Sequence, residues 1–191
     1  MKLKIIQIAL FVVAILLAYF IYETIQTPVR FNNEKNRRAE IVVQNLKDIR
    51  LVQQIYKTLN NRFTSSFDTL IRFMETGKIP VVSISFDPND STLTKTISDT
   101  IAFVKVADSL FGKRAGFNVR DIQFIPFSNG KKFEMNSDKV NKGGVLVPVY
   151  TVIAKKDYYL LGLDPDLIKN PNVKDLILGS LTEPTTDGNW E

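Results

Sequence analysis

Two short motifs contain residues that could act as a nucleophile or cradle a phosphate. Ser128-Asn-Gly-Lys131 matches the S-x-x-K pattern of serine-lysine acylating enzymes, whose serine begins a helix and whose lysine lies one turn later. Here the Asn-Gly pair favours a tight turn instead. The segment Gly112-Lys-Arg-Ala-Gly116 is basic and flanked by glycines, but it lacks the spacing and the hydroxyl of a phosphate-binding loop. We therefore predict no catalytic residue in either motif.

Acidic side chains in two places could bind a cation or transfer protons. Asp87, Asn89 and Asp90 share one turn, but neither a glycine nor a distal glutamate completes a calcium-binding loop. Asp164 and Asp166 are explained by a helix that begins between them, because the first would cap it and the second would be a favourable anion in its first turn. We predict no metal site and no cofactor-binding site.

The sequence of 191 residues contains no histidine and no cysteine. This composition removes Ser-His and Cys-His nucleophilic systems, zinc sites with thiolate or imidazole ligands, and the side chain that titrates most readily near neutral pH. We therefore predict that the protein is not an enzyme. An enzyme that uses carboxylates and hydroxyls is the remaining catalytic alternative.

The N-terminal segment Ile5–Tyr22 is apolar except for Gln7. As a helix it would span about 27 Å, close to the thickness of the hydrocarbon layer of a bilayer. A secretory signal peptide is the alternative, but no small-x-small cleavage pattern follows the apolar run. We predict an uncleaved transmembrane anchor.

The charges that flank this anchor predict its direction. Lys2 and Lys4 precede the apolar run, and Glu23 is the first charge after it. More cations lie further along, where the positive-inside rule still counts them: Arg30, Lys35, Arg37 and Arg38. Because the closest flanks resemble an export signal, we predict a bacterial inner-membrane protein with a cytoplasmic N-terminus and a periplasmic domain.

The distribution of charge along the chain also indicates which partners the protein can contact. Residues 28–62 are basic overall, whereas residues 164–191 are acidic. A basic segment beside a membrane can contact anionic headgroups, and an ordinary solvated helix is the alternative. We predict contact with membrane lipid and with other envelope proteins, and a homo-oligomer is a further alternative. Nucleic acid is not a predicted partner, because no base-stacking aromatics accompany the cations.

After the anchor, Pro28 predicts a helix break, with helix resuming near Asn33. An apolar stripe with steps of three and four residues then predicts an amphipathic helical stalk. The stripe is either a core face or a seam with another chain. If the stripe is a seam with another chain, the candidate partner-binding residues are Val42, Leu46, Ile49, Val52 and Tyr56. Trp190 is a further candidate, with packing onto its own domain as the alternative.

The rest of the chain predicts a short helix, Phe67–Thr76, capped by Ser66 and stopped at Gly77, followed by a β-rich region. Predicted strands are 81–86, 100–106, 121–127, 132–135, 145–154, 158–163 and 176–178. The fold class is therefore α+β, with a small and mostly antiparallel β-domain. The predicted divisions are an anchor (1–27), a stalk with a second helix (28–78) and a β-rich domain with a polar tail (79–191).

Two resemblances accompany these patterns. The membrane helix, amphipathic continuation and β-domain, together with Lys47–Tyr56, Asn61–Phe63 and Phe67–Leu70, resemble pilins and pseudopilins. The chain has neither a glycine before the apolar run nor a glutamate at its fifth position, where pilin processing and assembly use them. The motifs KDIR (47–50), SFDTLI (66–71), DSLFG (108–112) and GNWE (188–191) resemble an uncharacterised family of bacterial single-pass envelope proteins. That resemblance implies the anchor and the location.

Together these patterns predict a non-catalytic, single-pass component of an envelope assembly, for secretion, transport or a pilus-like structure. Its stalk and periplasmic domain would act as a scaffold that binds or positions partner proteins. The alternative is a pseudopilin-like subunit that polymerises through its N-terminal helix.

Overall fold

The computed structural model describes residues 2–86 and 96–191 and confirms the α+β class. The helices are α1 (Lys2–Asn60), α2 (Phe67–Thr76), α3 (Val106–Phe111), α4 (Lys156–Tyr159) and α5 (Pro165–Ile168), with a 3-10 helix at Val119–Gln123. The strands are β1 (Lys78–Phe86), β2 (Thr96–Lys105), β3 (Glu134–Lys142), β4 (Val145–Ala154) and β5 (Leu176–Ser180).

Helix α1 is continuous over 59 residues, so the predicted break at Pro28 is wrong. A helix of this length is about 88 Å long. Proline removes one backbone hydrogen bond and disfavours a helix interior by about 3 kcal/mol. The helix continues because long helical segments flank the proline on both sides, and because it packs against the domain from just beyond this point, where Phe31 is buried.

The second half of α1 forms one wall of the hydrophobic core. The apolar stripe is buried within the chain's own core at Val42, Leu46, Ile49, Val52 and Tyr56. These five side chains pack with residues of α2 and of the sheet that contains β4. The structure therefore places them in the core face, which was one of the two alternatives, and leaves them little surface for a second chain.

The strands form two separate antiparallel sheets. β1 pairs only with β2 among the described residues, and the second sheet has the order β3-β4-β5. Pro148 lies in the central strand, yet β5 pairs only with residues 150–154 of β4. The edge of β4 at Pro148 is thus open on the side of β5, which is how a proline is accommodated in a central strand.

The second helix has the predicted bounds and ends. Ser66 accepts a hydrogen bond from the backbone N–H of Thr69, and Gly77 is the C-terminal cap residue. The predicted strands 121–127 and 158–163 are wrong, because short helices occupy Val119–Gln123 and Lys156–Tyr159. In both places an apolar and aromatic run satisfies its backbone through local turns. Strand β3 extends far beyond the predicted residues 132–135, through a polar stretch that gave no strand signal.

Candidate functional site

The N-terminal half of α1 exposes a continuous apolar surface. It contains an 18-residue window with a mean hydropathy of 1.8, none of which is buried in the structure. Within the described residues it is the one helix long and apolar enough to cross a membrane. The exposed side chains include Leu10, Phe11, Ile15, Leu17, Phe20 and Ile21. An apolar patch of this extent is typical of a membrane or protein contact.

The domain is attached to α1 close to the end of this apolar surface. The Arg38 guanidinium donates hydrogen bonds to the backbone oxygens of Leu161 (2.8 Å) and Tyr159 (3.4 Å), which lie where α4 ends. The same side chain donates to the Glu34 carboxylate at 2.8 Å. Arg38 therefore ties the connection between α4 and α5 to the helix, and we call this arrangement the junction.

Charge and aromatic contacts strengthen the junction. Arg37 also donates two hydrogen bonds to Glu34, at 2.7 and 2.8 Å. The two guanidiniums hold the pKa of Glu34 well below its usual range, at about 2, so this carboxylate is ionised at neutral pH. Both guanidiniums also lie over the ring of Phe127, 5.4 and 5.0 Å from its centre.

We expect Arg38→Ala to loosen the junction and to lower the free energy of unfolding by about 1–3 kcal/mol, because two carbonyls lose a charged donor. Denaturant unfolding followed by the emission of Trp190, together with limited proteolysis of residues 160–167, would measure this effect. Arg37→Ala is the matched control, since Arg37 shares Glu34 and Phe127 but contacts neither carbonyl, and its side chain is 57% exposed. Equal effects of the two substitutions would contradict the assigned role of Arg38.

A cavity of about 410 Å³ opens beside the junction, between α1 and a wall formed by α5 and the residues that precede it. Its helix wall consists of Glu23, Thr27, Arg30, Phe31 and Glu34, which recur at the spacing of one helix face. The opposite wall consists of Gly162, Leu163, Asp164 and Leu167. We call this space the basal cavity; it begins one residue after the apolar run ends.

The basic loop 112–116 also has a structural role. Arg114 donates hydrogen bonds to the carboxylate of Asp48, which is 2% exposed. The guanidinium lies over the rings of Phe111 and Phe117, whose centres are 4.0 Å apart. This contact ties the loop to the middle of α1.

The S-x-x-K motif forms a turn, as predicted. The buried Ser128 hydroxyl donates to the backbone oxygen of Ile125 at 2.6 Å and accepts from the Lys131 N–H at 3.0 Å. The lysine amino group is directed elsewhere, over the Tyr158 ring. The serine hydroxyl therefore acts both as a donor and as an acceptor in closing the turn.

The acidic candidates have mixed outcomes. Asp164 caps α5 as predicted, because its carboxylate accepts from the Asp166 N–H at 2.9 Å. The turn with Asp87, Asn89 and Asp90 lies outside the described residues. Within residues 2–86 and 96–191, no group of three or more acidic side chains has the geometry of a metal site.

The C-terminal tail folds back onto the domain and carries Trp190 with it. Gly188 forms a β-bridge with Leu178, and the Asn189 N–H donates to the backbone oxygen of Ile177 at 2.9 Å. Glu191 accepts a hydrogen bond from Arg50 of α1 at 2.6 Å. Trp190 is half-buried against the core, so it packs on its own domain and keeps part of its surface exposed.

We expect Gly188→Ala to displace Trp190, because a Cβ at position 188 would overlap the indole ring. The emission of the only tryptophan should shift to longer wavelength, and the free energy of unfolding should fall by about 1–3 kcal/mol. Glu183→Ala, in an exposed part of the same tail, should change neither property. An unshifted emission spectrum in Gly188→Ala would show that the ring is held by other contacts.

Two hairpins expose apolar side chains on the domain surface. The β1–β2 hairpin exposes Val82, Ile101 and Phe103, and a register shift between Val81 and Val82 leaves Ile101 without a partner on the opposite strand. The β3–β4 hairpin exposes Val145 and Leu146 beside its turn. These are candidate contact residues that the sequence patterns missed, since alternation within a strand does not reveal which face stays uncovered.

Comparison of the chain with models of protein families, with curated proteins and with solved structures found no match.

Proposed function

We propose that the protein is a non-catalytic, single-pass inner-membrane component of an envelope assembly, with a binding domain that is rigidly attached to its membrane anchor. The observation that carries this proposal is that one helix supplies both the exposed apolar segment and a wall of the domain core. A domain built this way cannot separate from its anchor without unfolding. Partners would be other envelope proteins, which bind the exposed apolar hairpins.

The mode of partner binding is tested by photocrosslinking in cells. A photoreactive amino acid at Phe103 or Leu146 should give crosslinks to specific proteins, because both side chains are exposed and apolar. The same amino acid at the exposed Lys139 of β3 is the matched control. Identical products from all three positions, or products found only with abundant cytoplasmic proteins, would contradict the proposal.

The proposed orientation has the N-terminus in the cytoplasm and the domain in the periplasm. Protease added to spheroplasts should then digest residues beyond Arg30. Complete protection in spheroplasts, with digestion only after detergent is added, would reverse the orientation.

A pseudopilin-like subunit is the second candidate, and the continuity of α1 favours it. A break at Pro28 would have separated an embedded anchor from the stalk, whereas one unbroken helix can pack along its length against copies of itself. Because the chain has no cysteine, Ala14→Cys gives a single site for oxidative crosslinking. A scaffold should yield at most a dimer, and a ladder of multimers would favour the polymer.

A further inference from the structure

The basal cavity has the position of a lipid-binding site, if α1 crosses the bilayer as proposed. The apolar run ends at Tyr22, and the polar headgroup layer extends roughly 5–8 Å beyond the hydrocarbon. Along a helix, Glu23 and Thr27 lie about 2 and 8 Å past Tyr22. The backbone of Arg30 lies farther from the membrane than these two residues. Its side chain points back toward the membrane, however, because side chains of a helix are directed toward the N-terminus.

The lining of the basal cavity combines an apolar floor with a charged rim. Phe31 is buried, and Leu163 and Leu167 are half-buried beside it. Among the described residues, the charged lining consists of Glu23, Glu34 and Asp164 with Arg30. Its volume of about 410 Å³ is within the range of sites for small organic ligands.

The pairing of these charges defines the ligand. Glu34 is already bonded to both Arg37 and Arg38. Asp164 uses only its Oδ1 to cap α5, and Glu23 uses only its Oε1, in a 3.5 Å contact with the Thr27 hydroxyl, so each keeps a second oxygen for an incoming cation. Arg30 is the cation of the rim. The rim thus complements a group that carries a hydrogen-bonding ammonium next to a phosphate, and its excess of carboxylate disfavours a purely anionic headgroup.

We propose that the basal cavity binds the headgroup of an aminophospholipid of the phosphatidylethanolamine type. The ammonium donates to Glu23 and Asp164, and the phosphate accepts from Arg30. The glycerol end of the lipid lies against Leu163 and Leu167. The bound lipid would fill the space between membrane helix and domain, and so extend the junction to the bilayer surface.

Native mass spectrometry of the full-length protein, released from nanodiscs, tests this site. The nanodiscs contain dioleoyl phosphatidylethanolamine, phosphatidylcholine and phosphatidylglycerol in equal amounts, so that only the headgroups differ. We expect one retained phosphatidylethanolamine per chain. Glu23→Gln combined with Asp164→Asn should lower its retention about tenfold, because the amide oxygens still accept hydrogen bonds from the ammonium but no longer carry the negative charge that strengthens them. Asparagine still caps α5, so the fold is preserved.

The matched control is Glu40→Gln combined with Asp166→Asn, which removes the same charge from exposed positions outside the cavity. Its lipid retention should equal that of the wild type. Preferential retention of phosphatidylglycerol, equal retention of all three lipids, or an unaffected Glu23/Asp164 variant would overturn the lipid site. Failure of the wild-type chain to enter nanodiscs would instead overturn the membrane anchor, so the two failures are distinguishable.

Discussion

Replacing Val52 with Asp should lower the free energy of unfolding by about 4 kcal/mol or more, which is a large part of the stability of a small domain. Val52 has no exposed surface and lies between Ile49 and Tyr56 on the core face of α1. The substitution removes buried apolar area and places a carboxylate among apolar core side chains, where its loss of hydration is costly. Denaturant unfolding in detergent, followed by Trp190 emission, measures the change.

The neighbouring residue supplies a control. Leu51 is 45% exposed on the same turn of α1, so Leu51→Asp should change stability by less than about 1 kcal/mol. A domain that tolerates Val52→Asp as well as Leu51→Asp would not have the stripe of α1 in its core. The stripe would then be free for a partner, which is the seam alternative.

The second large effect concerns membrane insertion. Arginine at Val13 together with arginine at Leu17 should abolish stable integration, because each costs about 3 kcal/mol at the centre of a spanning helix. Both residues lie in the exposed apolar half of α1. The fraction of protein that resists extraction from membranes by alkaline carbonate measures the effect.

Arginine at Ile41 and Leu51 is the matched control for this variant. These two residues are exposed apolar side chains of the same helix, but they lie beside the domain. The control should remain in the membrane fraction. Resistance of the Val13→Arg/Leu17→Arg protein to carbonate would contradict the predicted cost of charge in this segment. Release of the wild-type protein by carbonate would show that the apolar half of α1 is held by protein contacts and not by lipid.

Local patterns were sufficient for much of the fold. The exposed apolar half of α1 and its core stripe follow from apolar length and from helical spacing, which do not depend on distant residues. The bounds of α2 followed from Ser66 and Gly77, and those of β4 from a run of β-branched residues. Pro28 misled because local propensity disfavours a helix there, while the packing of α1 on the domain supports one.

The contacts that form the junction and tie the loop 112–116 to α1 could not be predicted from the sequence. The hydrogen bond from Arg38 to Leu161 joins residues 123 positions apart, and no motif marks either partner. Arg114 and Asp48 are likewise 66 positions apart. Such pairs depend on how α1 lies against the connections between the strands and short helices. Residue types alone therefore indicated a basic stalk and an acidic tail, but not which charges meet.

Because α1 is continuous, a tilt of its N-terminal half is transmitted along the helix to the domain. Residues 23–60 extend about 56 Å beyond the apolar run, so a tilt of the spanning segment by about 20° would move the far end of the helix sideways by about 19 Å. Spanning helices adjust their tilt to the thickness of the bilayer. If α1 spans the bilayer as proposed, a thinner membrane would therefore displace the domain sideways, because the continuous helix has no flexible linker between the apolar run and the domain.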